Sequence, residues 1–171
     1  ANAGGPFFLK INTNKESFTI KDILIGEVWL ASGQSNMEMS LMGYPPKDTI
    51  LNYKEEIRRA NYPFIRMFNV EKQFSIVPAK DFKGSWLEAS PSQIEKFSAT
   101  AYFFAMELAK KLDIPIGIIH SSWGGSPCES WTSEEKLFEL GIYKETLKEM
   151  NQNVPKKVID KWFGQFDSID I

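Results

Sequence analysis

"EVWLASGQSNMEM", residues 27–39, decides how this chain reads. An apolar run, Val28-Trp29-Leu30-Ala31, stops abruptly at five small or polar residues, Ser32-Gly33-Gln34-Ser35-Asn36. With Ile23-Leu24-Ile25 and Gly26 ahead of it, the run over residues 23–31 predicts a strand buried on both faces, the pattern of a parallel sheet. A polar turn then presents a serine between two amides. In an open α/β sheet, ligands bind where strands end at their carboxyl edge, so a turn of this composition is a candidate site.

The surroundings fit that frame. Upstream, residues 7–11 and 17–20 flank the polar turn "NTNKES" and predict a β-hairpin. Downstream, "LMGYPPKD" reads as a loop, residues 48–60 as a short surface helix, and "FIRMFNV" (64–70) as a strand. "SIVPAKDFKGSWLEASPSQ" reads as a long irregular connection. The clearest helix is "SATAYFFAMELAKKL" (98–112), where Ala101, Phe104, Ala105, Leu108, Ala109 and Leu112 form one apolar stripe. Ser98 can cap its start, and Ile114-Pro115 ends it. "IPIGIIHSSW" is another buried strand, followed by the loop "GGSPCES". Strand, helix, strand with short joins predicts parallel strands at residues 23–31, 64–70 and 115–121, covered by the helix through Phe104 and Leu108. From Thr132 onward, Leu137, Leu140, Leu147 and Met150 are spaced for one or two amphipathic helices.

Bulk properties narrow the function classes. With 171 residues, 43% apolar and 25% charged, the chain has room for one ordinary globular domain. A net charge of −2 offers no basic footprint for nucleic acid. No apolar run approaches the ~20 residues that span a bilayer. The opening "ANAGGPFFLKI" lacks the basic start and apolar stretch of a signal peptide. The single cysteine, Cys128, cannot form an intrachain disulfide and has no zinc-type spacing around it. No metal or cofactor is expected.

Both "SGQSNM" and "SSWGGSPCESW" follow predicted strands, so both loops belong on one sheet edge. A serine at a strand-to-helix turn exposes its Oγ, and the N–H groups after it point at whatever it attacks. The pattern is not G-x-S-x-G, because Met37 stands at the second glycine, and no Gly-Lys-Ser/Thr makes it a phosphate loop.

"DILIGEVWLASGQSNMEM" and "FSATAYFFAMELAKKLDIPIGIIHSSWGGSPCESW" resemble the sialate O-acetylesterases, within the SGNH (GDSL-like) serine hydrolases, over roughly residues 18–133. The resemblance implies a three-layer α/β/α sandwich, here incomplete. Residues 1–21 would end an adjoining β-rich segment, and residues 22–171 would be the first part of the catalytic domain. It implies a secreted or periplasmic esterase that removes acetyl groups from sugar hydroxyls. Ser35 matches the nucleophile, and Ser35 with Gly124 and Gly125 matches the oxyanion donors. Gln34, Asn36 and Trp123 are the candidate substrate contacts.

The family's late Asp-x-x-His and Gln-Gly-Glu blocks are absent. The one histidine, His120, has Gly117 three residues before it and sits inside a strand, where a structural role is the expectation. The chain therefore reads as a fragment holding the nucleophile without its base, inactive alone and prone to self-association or to pairing with the missing half. Two other readings stand beside this one: a non-catalytic carbohydrate-binding or interaction module, and an esterase of the acetylxylan type. Glu129 reads as a loop hydrogen-bonding residue. Trp131 reads equally as core or as a sugar platform. Glu55-Glu56 and Glu134-Glu135 read as solvated helix faces.

Overall fold

The computed structural model describes residues 2–73, 75 and 79–153 and divides into two compact units, residues 1–125 and 126–171. In the first unit, β1 (Gly4–Asn12) and β2 (Ser17–Ile25) pair antiparallel as a two-stranded ribbon. A four-stranded sheet follows in the order β3-β6-β4-β5, from β3 (Glu27–Gly33), β4 (Tyr62–Asn69), β5 (Trp86–Ala89) and β6 (Ile116–Ser122). β6 is central and runs parallel to both β3 and β4, while β5 pairs antiparallel with β4. Among the described residues, three helices complete this unit: α1 (Ser35–Glu38), α2 (Tyr53–Arg59) and α3 (Ala99–Leu112).

The three expected parallel strands share one sheet, with four differences of detail. Residues 23–25 belong to the ribbon and not to the parallel sheet, because the chain breaks direction at Gly26. A Cβ there would collide with the Pro115 carbonyl, which accepts the Glu27 N–H at 3.1 Å. The strand at 27–33 lies on the sheet's edge, with Val28 61% and Leu30 69% exposed, so the doubly buried expectation fails. The stretch read as irregular contains β5. Finally, α3 packs through Ala101, Tyr102 and Ala105; Leu108 is only partly buried, and Phe104 is half-exposed against Trp29. Two alanines let the helix approach the sheet closely while the tyrosine fills the gap, which turns the larger Phe104 to the flank.

The core lies on one side of the sheet, where Ile65, Met67, Ile116 and Ile118 meet α3, Leu41, Ile94 and Phe97. Strand alternation sends Val28, Leu30, Arg66 and Phe68 to the opposite face. Among the described residues, helices cover one face of the sheet. The arrangement is thus mixed α/β with mostly parallel strands, and a third layer is not among the elements described. Arg66 joins ribbon to sheet: its guanidinium donates to both Asp22 carboxylate oxygens at 2.7 and 2.9 Å and pairs with Glu88 at 3.3 Å. Such forked pairs fix geometry as well as adding energy. Ser98 Oγ accepts the Ala101 N–H at 3.2 Å and caps α3 as expected, and Asp113, in the left-handed region, closes it before Pro115.

The second unit holds a tight turn at Cys128–Trp131, α4 (Glu134–Glu139) and α5 (Lys144–Asn153). Glu129 accepts the Tyr143 hydroxyl, and Trp131 Nε1–H donates to Ser126 Oγ at 2.8 Å. Leu137 is buried and Leu140 is 62% exposed, so only part of the expected apolar stripe is covered. The Met150 side chain and residues 154–171 lie outside the described residues. No described helix is long and apolar enough to cross a membrane.

Tyr102 gives a stability prediction. Its side chain is buried, its hydroxyl has no hydrogen-bond partner among the described residues, and burial pushes its phenol well above the usual value. A buried unsatisfied hydroxyl costs about 1–3 kcal/mol, so Tyr102→Phe should raise stability by up to that amount in urea unfolding. A loss of about 1 kcal/mol or more would mean that the hydroxyl is satisfied.

Candidate active site

The parallel ladder brings two loops together. β3 and β6 stay in register from Glu27↔Ile116 to Gly33↔Ser122, and the Trp123 N–H extends the pairing by donating to the Gly33 carbonyl at 3.0 Å. The chain leaves β3 into α1 and leaves β6 into Trp123-Gly124-Gly125, at the same height on the carboxyl edge. Gly33, at φ 147°, takes a conformation open to glycine, and Met37 Cβ packs close to it. The Gln34 carbonyl accepts the Met37 and Glu38 N–H groups at 2.9 Å each, which winds the single turn of α1.

Ser35 is exposed at the start of that turn. Its Oγ lies 3.6 Å from where a Cβ on Gly124 would stand. Gly125 is exposed at φ 75°, with open space where its side chain would be. Gln34 and Asn36 are exposed on either side of Ser35, and Thr100 Oγ1 holds the Asn36 carbonyl at 3.1 Å. Trp123 is partly buried, with Lys72 Nζ 5.4 Å from its ring centre. Ser35, Gly124 and Trp123 therefore share one edge.

Two charged residues at this edge went unremarked in the sequence. Glu38 accepts the Gly124 N–H through one carboxylate oxygen and pairs with Lys72 through the other. A signal existed: Glu38 stands three residues after Ser35, the spacing that puts two side chains on one side of a helical turn.

His120 points into the core-side face and is fully occupied. Its Nδ1 meets Asn69 Oδ1 at 2.9 Å and its Nε2 meets Ser122 Oγ at 2.7 Å, while its ring packs 5.5 Å from Phe97. Burial lowers its pKa below the usual 6.5, against a smaller opposing pull from the Met37 backbone and Glu38. This is the arrangement of a neutral, structural histidine. Among the described residues, no group of three His, Cys, Asp or Glu is placed to hold a metal ion.

The comparisons with known proteins point one way. The family described as "Carbohydrate esterase, sialic acid-specific acetylesterase" matches residues 25–161. The sialate O-acetylesterase of Homo sapiens is 33% identical over 157 residues, covering 83% of this chain and 28% of its own length. That of Rattus norvegicus is 32% identical over 152 residues, covering 81% and 27%. The chain thus spans less than a third of these relatives. A crystal structure of a carbohydrate acetylesterase from Xanthomonas citri superposes with a TM-score of 0.72 at 36% identity, over 80% of this chain and 30% of that one.

The histidine gives a pH prediction. With its folded pKa below 6.5, the unfolded state binds the extra proton first, so stability falls as pH drops from 6.5 toward the lower folded value. His120→Gln removes that contribution, so the stability gap between the parent protein and the variant should narrow between pH 7.5 and 5.5 in urea titrations. A gap that widens on acidification would mean that the fold favours the charged imidazolium.

Proposed function

The chain belongs to the carbohydrate esterase family of sialic acid-specific acetylesterases, and from that membership we propose that it carries the nucleophile half of a serine esterase acting on O-acetylated sugars, with Ser35 as nucleophile. The observation that carries this reading is the closeness of exposed Ser35 Oγ to the glycine turn at Gly124-Gly125 on the carboxyl edge of a parallel sheet. The names of the relatives favour O-acetylated sialic acid as the substrate.

Ester chemistry assigns the steps. Ser35 Oγ attacks the acetyl carbonyl carbon as its proton passes to a base, and the carbonyl oxygen takes the negative charge. The Ser35 N–H and a glycine N–H of the turn are the donors for that oxyanion, each worth about 3–4 kcal/mol of barrier when pre-aimed. Collapse expels the sugar oxygen, which is protonated by the base. Water then releases acetate from the acetyl-serine by the same route in reverse.

The base is not His120, whose two ring nitrogens serve Asn69 and Ser122. Since the chain contains one histidine, the acid–base pair comes from sequence outside these 171 residues. The exposed apolar edge at Val28 and Leu30 supports pairing with that remainder, or self-association in its absence.

Two outcomes are expected. In the intact enzyme, Ser35→Ala should lower kcat for p-nitrophenyl acetate and O-acetylated sialic acid by about 10⁴-fold or more while leaving the circular dichroism spectrum unchanged. Equal turnover by the variant would remove Ser35 from the mechanism and favour a non-catalytic carbohydrate-binding module. The 171-residue chain by itself should show negligible hydrolysis, recovered when the remainder of the protein is supplied. Hydrolysis by the chain alone that disappears in His120→Ala would make His120 the base.

A further inference from the structure

Glu38 sets its carboxylate between the serine turn and the glycine turn. One oxygen accepts the Gly124 N–H, the other faces the Lys72 ammonium, and the same ammonium sits over the Trp123 ring. The side chain is largely covered, and a carboxylate withdrawn from water is tolerated when both of its oxygens have donors of this kind. The contact is also close enough to restrict the sequence: a Cβ on Gly124 would stand 2.6 Å from Glu38 Oε2.

We infer that Glu38 is a positioning residue for the esterase reaction: braced by Lys72, it pins the Gly124 N–H and so holds the glycine turn at the height of Ser35 Oγ. This rests on the reading of Ser35 as nucleophile. Its consequence is a choice between the two glycines. The Gly124 N–H is committed to a carboxylate and is not the oxyanion donor, which leaves the Gly125 N–H as the partner of the Ser35 N–H. Glu38 and Ser35 share the turn of α1, and Gly124 and Gly125 are consecutive, so the single bond couples nucleophile and oxyanion donors as one body. Pre-aimed donors act only when they are held in place before the charge develops.

The test uses the intact enzyme, with p-nitrophenyl acetate kinetics and hydrogen exchange of peptides containing Gly124. Glu38→Ala should lower kcat about 10–100-fold with KM nearly unchanged, since misplacement of about 1 Å costs that much. It should also speed exchange at the Gly124 peptide. Glu38→Gln, whose amide oxygen still accepts the N–H, should restore slow exchange and most of the kcat. Lys72→Met should fall between the two. If Gly124 were itself the oxyanion donor, Glu38 would compete with the transition state, and Glu38→Ala would leave kcat unchanged or raise it. That result, or unchanged exchange at Gly124, overturns the proposal. Ser35→Ala measured alongside separates the two readings: full activity there removes the nucleophile, while the exchange data still decide whether Glu38 pins the turn.

Discussion

The parallel pairing of β3 with β6 is the constraint on which everything else in this unit depends. Seven residues of each strand run in step, and the bond from the Trp123 N–H to the Gly33 carbonyl carries the register one residue past the sheet. A parallel pair delivers both chain exits to the same edge, so the serine turn and the glycine turn meet without either loop needing its own scaffold. A slip of one residue would exchange the faces of every side chain on β3. It would take Trp29 away from Phe104 and Ala31 away from the core. The register is thus set by packing, and the site inherits it.

The same ladder explains how the one histidine is tied into the sheet. Alternation along β6 turns Ile116, Ile118 and His120 to the core side. An imidazole there needs partners for both nitrogens, and it finds them in Asn69 on the neighbouring strand and Ser122 on its own. Burial that suits a neutral ring makes it a weak proton acceptor. Ser35, by contrast, is exposed on the turn after β3 and takes no part in these bonds.

Much of this was legible in local sequence, and what was not has a common cause. Apolar runs ending in small polar residues located the ends of β3 and β6, and with them Ser35 and the glycine pair. The cap at Ser98 and the stop at Pro115 bounded α3. Tertiary context decided the rest. Gly26 divides one apolar run into two strands of different sheets because the Pro115 carbonyl crosses there. β5 is four residues long and exists as an edge partner of β4, so no periodicity announces it. Ala101 and Ala105 outcompete Phe104 for the sheet because close approach favours small residues. β3 reads as buried from composition alone, while its neighbours in the described sheet lie on one side only. Glu38 and Lys72 are 34 positions apart, and no sequence spacing links them to Gly124.

The central claim is that the β3–β6 edge supplies nucleophile and oxyanion donors while the base comes from beyond these residues. The most direct measurement is a crystal structure of the intact protein after inactivation by a fluorophosphonate. The account predicts phosphorus bonded to Ser35 Oγ, its phosphonyl oxygen facing the Ser35 and Gly125 N–H groups, and a histidine from outside this chain beside the adduct. His120 would still lie between Asn69 and Ser122. An adduct on another residue, or His120 swung out to meet Ser35, would contradict it.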